Sequence, residues 1–197
     1  MKTYLFIDGE DFIYKIEESL KSQGISKHSV NIVNIDLKKL IALALPEYKL
    51  ERKNFYSAKL QVHPETLVKS KELILLQRIL KTNLEKQGFE FIRAGKVMPQ
   101  VIKIDGKTKT IFKEKGVDVR IAVDLVSLSC DKKMETAIIC SSDSDLQPAI
   151  AEVRKRGVEV IYLGFENTPN KGLTYTANKT VLFRNSEIKQ VVPLKQN

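Results

Sequence analysis

KGVDVRIAVDLVSLSCDKKMETAIICSSDSDL, residues 115–146, holds an apolar helical segment (118–130), a short apolar strand (134–140) and two acids just past it, Asp143 and Asp145. Asp118 stands at the head of the helical segment. Acids gathered at element ends, rather than spread over faces, point to a site and not to solvation. Upstream the same grammar recurs. The opening strand, 3–7, ends on Asp8, and a helix over 12–23 follows with Phe12, Ile13, Ile16 and Leu20 at helical spacing before Gly24.

Strands and helices alternate along the rest of the chain. The pattern predicts a helix over 35–44, a strand over 54–60, and a long helix from about Pro64 to Gln87 carrying Leu67, Leu73, Leu76, Ile79, Leu80 and Leu84. A strand over 89–95 comes next, then a helix over 145–156, a strand over 158–164, an edge strand over 180–185 and a tail of about a dozen residues. Such alternation predicts an α/β fold: a mostly parallel central sheet flanked by helices, Rossmann-like and three-layered. Residues 101–113 break the rhythm. Asp105-Gly106 between two extended runs is a hairpin signal, because the pair supplies the positive φ of a tight turn. The reading gives one domain over 1–165, with 166–197 as an extension packed on it.

Composition narrows the partner. The net charge is +9, from 33 Lys+Arg against 24 Asp+Glu, so the surplus attracts polyanions while the clustered acids repel them unless a cation intervenes. Nucleic acid is favoured over an anionic membrane surface. The first apolar run is too short for a signal peptide and no run is long enough to span a bilayer, which sets the expectation of a cytoplasmic chain with no membrane partner. Cys130 and Cys140 read as buried free thiols, and His28 and His63 are too scattered to make a zinc site with them.

In open α/β sheets, ligands lie beyond the carboxyl ends of the parallel strands. Asp8 and Asp143 converge there if their strands are neighbours, and Asp118 can point into the same crevice. Carboxylates in that setting suit a hard divalent cation, Mg²⁺ or Mn²⁺. Each acid also has a plainer reading as a helix cap, and Ser144 with Gln147 fits a capping box. Pro148 must lie in a helix's first turn, which leaves Asp143 outside the helix. Asp124 sits on a polar stripe with Arg120, Ser127 and Asp131, about 120° round the helix from Asp118, and an Arg120–Asp124 pair explains it.

Asp8 after an apolar strand, KGVDV before a helix holding Asp124, and SSDSDL after a strand resemble the NYN domain, a PIN-like nuclease fold. The resemblance covers about residues 1–165. It implies a metal-dependent ribonuclease in which Asp8, Asp118 and Asp143 hold Mg²⁺ or Mn²⁺ and Asp145 assists. Asp145 or Asp11 would orient or deprotonate the attacking water, and Ser141 or Ser142 would bond a phosphate oxygen. Asp11 stands where the family usually has Asn, Ser142 where it has Gly, and Leu146 where it has an aromatic residue. Those departures motivate the rival reading, a catalytically weak or inactive RNA- or protein-binding regulator on the same fold.

For the substrate, Lys107, Lys109, Lys113 and Lys115 share one face by period two and lead towards Asp118. Such a row neutralises phosphates without reading sequence, and single-stranded RNA is the favoured ligand. The plainer reading is an edge strand protected by lysines. Arg93 and Lys96 would extend the patch, and Tyr162, Phe165 and Tyr175 are candidates for base stacking. A DNA nuclease would use the same acids, and a homodimer or protein partner stays open.

Overall fold

Every residue of the first strand, Thr3–Asp8 (β1), is buried, as a strand with a neighbour on each side and helices on both faces must be. The computed structural model describes residues 2–62, 64–104 and 107–195. After β1 come Gly9–Ser22 (α1), Leu37–Ala44 (α2), Leu50–Lys59 (β2), Leu67–Lys86 (α3), Glu90–Ile104 (β3) and Lys107–Lys115 (β4). The second half runs Val117–Cys130 (α4), Thr136–Cys140 (β5), Gln147–Lys155 (α5), Glu159–Phe165 (β6), Lys171–Thr176 (α6), Lys179–Phe183 (β7) and Asn185–Val191 (α7). The sheet order is β4-β3-β2-β1-β5-β6-β7, parallel throughout except for the antiparallel β3–β4 hairpin. This is the mostly parallel α/β architecture that the alternation predicts. The hairpin turn, Asp105-Gly106, lies outside the described residues.

Period-two alternation in β1 divides the core in two. Leu5 and Ile7 face one layer with Phe12 and Ile16 of α1, Leu40 of α2, Leu84 of α3 and Ile188 of α7. Tyr4 and Phe6 face the other, with Ile121 and Leu125 of α4, Ile150 of α5 and Leu173 of α6. The strand is thus the shared floor of both cores, and truncating either set costs a cavity of the kind worth about 2–5 kcal/mol.

Several expectations change. The final residues are not tail: α7 forms and buries Ile188 and Val191. Periodicity missed α6, which is a turn and a half held by its cap. Cys140 is buried, but Cys130 is exposed at the end of α4. The apolar stripe of α3 is half used: Leu80 and Leu84 are buried, while Leu67, Leu76 and Ile79 are exposed. Helical spacing shows which residues share a face, and tertiary packing decides how much of that face is covered. Among the described residues no helix is long and apolar enough to cross a membrane.

Candidate metal centre at the carboxyl edge of the sheet

β1 and β5 are paired neighbours, so the residues that follow them meet at one edge. Two backbone devices deliver the acids. Gly9 lets α1 start directly on β2, since a Cβ there would run into the Phe55 ring and the Tyr56 carbonyl. Gly116, at φ 90°, turns the chain from β4 straight into α4 and caps that helix with no side-chain bond. Asp118 is therefore in the first turn of α4 but is not its cap.

Carboxylate oxygens of Asp118, Asp143 and Asp145 all lie within 4.8 Å of one another. Asp118 and Asp143 are half-buried and Asp145 is exposed. Asp143 is the N-cap of the 3-10 turn Ser144–Leu146, accepting the Asp145 N–H at 2.9 Å. The capping box of Ser144 and Gln147 does not form, because α5 begins at Gln147 with Leu146 as its cap and Pro148 in the first turn. Three hard oxygen donors in so small a space repel one another in water, and the set fits a hard divalent cation completed by waters.

Asp8 and Asp11 stand beside this group rather than in it. Asp8 caps α1, accepting the Asp11 N–H at 3.3 Å. It is only 8% exposed. Burial pushes its carboxyl up to about 7, and the Asp11, Glu10 and Asp143 charges push the same way. Asp11 ties α1 to the loop after β5: its Oδ2 accepts the Ser142 N–H at 2.7 Å and its Oδ1 accepts the Ser142 hydroxyl. Burial raises the Asp11 carboxyl despite those bonds. Ser142 thus commits both donors to Asp11, and Ser141, buried, accepts the Asp143 N–H at 3.1 Å. In this conformation the two serines build the loop that presents Asp143.

Sequence reasoning missed three contributors. Asn170, the cap of α6, donates from Nδ2 to the Ser142 carbonyl at 2.7 Å and to Ser144 Oγ at 3.0 Å. Its own N–H goes to the buried Tyr162 hydroxyl at 2.9 Å. Its cap bond to the Leu173 N–H is a local signal of a helix start, but nothing local marks its tie to the loop, because those partners lie 26 and 28 residues away. Glu114 hydrogen-bonds both Glu10 and the Ala58 backbone, and burial with the Glu10 and Asp8 charges lifts its carboxyl to about 9. The signal for Glu114 was its place on the strand face opposite Lys113 and Lys115. Lys59 is the third. Register pairs Lys59 with Lys96 and Lys96 with Lys115, a row of exposed cations across β2, β3 and β4 at the edge holding Asp8.

Lys113 is exposed and pairs with Met98, whereas the side chains of Lys107 and Lys109 lie outside the described residues. Arg93 is exposed as well. Tyr162 and Phe165 are core residues, and Tyr175 is 90% exposed. Asp124 forms the expected ion pair with Arg120 at 2.8 Å and also accepts the Tyr56 hydroxyl at 2.9 Å. Tyr56 is the register partner of Asp8, so this bond pins α4 to the strand beside the acids. Compared with known protein families, the chain matches the model described as NYN domain over residues 2–183. No curated protein matches it.

Proposed function

The chain belongs to the NYN domain family of PIN-like nucleases, and from that premise we propose a cytoplasmic, metal-dependent ribonuclease acting on single-stranded RNA. The observation that carries the reading is the group Asp118, Asp143 and Asp145 beside a row of exposed lysines. Asp118 and Asp143 would hold Mg²⁺ or Mn²⁺, with Asp145 assisting and Asp8 contributing its carboxylate from beside them. Bound there, the ion supplies Lewis acidity towards a phosphoryl oxygen and charge neutralisation at the leaving group.

The chain's own residues do the rest. Lys59, Lys96, Lys113 and Lys115 attract the phosphate backbone and set its path along the edge, and Lys109 and Lys107 continue that row in the sequence. Asp145, exposed and without a described hydrogen bond to its carboxylate, is placed to orient and deprotonate a water. Asp11 and Asn170 hold the 141–144 loop from two sides, so that Asp143 does not reorganise when substrate arrives.

The deciding experiment is cleavage of a labelled single-stranded RNA in EDTA, Mg²⁺ or Mn²⁺, wild type beside Asp143→Asn. Metal-dependent cutting that disappears in the variant is the expected result. A second reading, an RNA-binding regulator without turnover, draws on Asp11, whose carboxylate is committed to Ser142. Tight binding with no cutting in either metal would establish that reading instead.

A further inference from the structure

Three neighbouring helices, α4, α5 and α6, share one face of the sheet, and each adds an apolar side chain to the same core: Ile121, Ile150 and Leu173. All three start at the carboxyl edge. α4 leaves β4 where Lys115 pairs with Lys96, and α5 and α6 follow the ends of β5 and β6. Their starts therefore set out Lys115, Asp118, Asp145 and Lys171 in that order. α6 is fastened beside the acids. Besides the Asn170 bonds, the Thr176 hydroxyl bonds the Gln147 side chain at 3.1 Å, and Gln147 is two residues past Asp145. Gly172 lies against the same side chain, where a Cβ would come within 2.8 Å of Gln147 Nε2. Tyr175 stands on the outside of this helix. It is 90% exposed, the highest value for a large hydrophobic side chain among the described residues, so the core draws nothing from its ring. Lys171, also exposed, is four residues earlier and shares its face. A lone ring on a surface needs no explanation. This one has an ammonium beside it and sits on the helix that holds the acid loop.

We propose that Lys171 and Tyr175 form the RNA-binding subsite on the far side of the acid centre. RNA drawn in along Lys59, Lys96 and Lys115 crosses Asp118, Asp143 and Asp145 and leaves over α6, with a phosphate at Lys171 and an unpaired base stacked on Tyr175. The acids repel the phosphates on either side of the one at the centre, so a grip from the lysine row alone leaves the RNA free to swing away. A second grip beyond Asp145 holds it across. Every base has a π-face, so the platform takes any sequence. Only an unpaired base can lie flat on it, which selects single strands over duplex. The inference rests on the ribonuclease reading for its ligand.

The test separates the two. Affinities are measured by fluorescence anisotropy in EDTA, where no cutting occurs, for a labelled oligoadenylate and for a blunt RNA duplex. Tyr175→Ala should weaken binding of the single strand about tenfold, as the loss of one stacked base allows, and leave the duplex alone. Tyr175→Phe keeps the ring and should bind both as wild type does. Lys171→Ala should reduce the slope of log affinity against log salt by ~0.7, a slope that Tyr175→Ala does not change. Wild-type affinity in Tyr175→Ala, a loss equal in the Phe variant or on the duplex, an unchanged slope in Lys171→Ala, or no binding by the wild type overturns the subsite. In a parallel Mn²⁺ assay, cutting by the wild type while Tyr175→Ala binds as tightly defeats the subsite alone. The tenfold loss without any cutting supports the subsite and defeats the ribonuclease.

Discussion

Replacing Asp8 by Asn should stabilise the metal-free protein at pH 8 and leave it nearly unchanged at pH 4. Asp8 is 8% exposed, and burial holds its carboxyl near 7 instead of the ordinary 3.8. Folded protein therefore binds more protons than unfolded between those values, so stability falls as pH rises from about 4 to about 7 and the loss is complete above. At about 1.4 kcal/mol per pH unit the ionised carboxylate costs up to about 4 kcal/mol. Asn keeps an oxygen for the Asp11 N–H and is as good an N-cap as Asp. The expected gain is ~2–4 kcal/mol, since the neighbouring acids relax in part. The assay is urea unfolding in EDTA at both pH values. Adding Mn²⁺ should then stabilise wild type more than the variant, because the cost of the carboxylate is the counterpart of its affinity for a cation. An Asp8→Asn protein no more stable than wild type at pH 8 would refute the reasoning.

Three further outcomes follow from the same geometry. Asn170→Ala removes two bonds to the 142–144 loop and should cost about 1–2 kcal/mol in unfolding and weaken Mn²⁺ binding by calorimetry; unchanged metal affinity would dismiss the positioning role. Glu114→Gln should flatten the decline in thermal stability between pH 5 and pH 9, because across that window the unfolded carboxyl is ionised while the folded one, raised to about 9, still holds its proton. Lys96→Ala with Lys115→Ala should weaken RNA binding regardless of sequence and reduce the slope of log affinity against log salt by ~0.7 for each lost phosphate contact; an unchanged slope places the backbone elsewhere.

Much of the fold was legible because its signals are local. An alternation of β-rich runs with helical periods, an Asp-Gly turn and a Pro in a first turn each act within a few residues, and the sheet and hairpin follow from them. Asp118 and Asp143 were legible for the same reason, as acids at element ends. The exposed half of α3 was not. An amphipathic pattern reports one face, and whether a neighbour covers it depends on a strand and a helix far along the chain.

The sequence by itself determined the parallel α/β sheet, the family and the acidic edge, since element type and acid placement are written in spacings shorter than a helix. Only the tertiary structure decided which acids share a centre and which carry another burden. It set Asp145 with Asp118 and Asp143, buried Asp8 beside them, and gave Asp11 to Ser142 across 131 residues. It also aligned Lys59, Lys96 and Lys115 across three strands. Register, burial and long-range hydrogen bonds fix those relations, and none of them exists until the strands have paired.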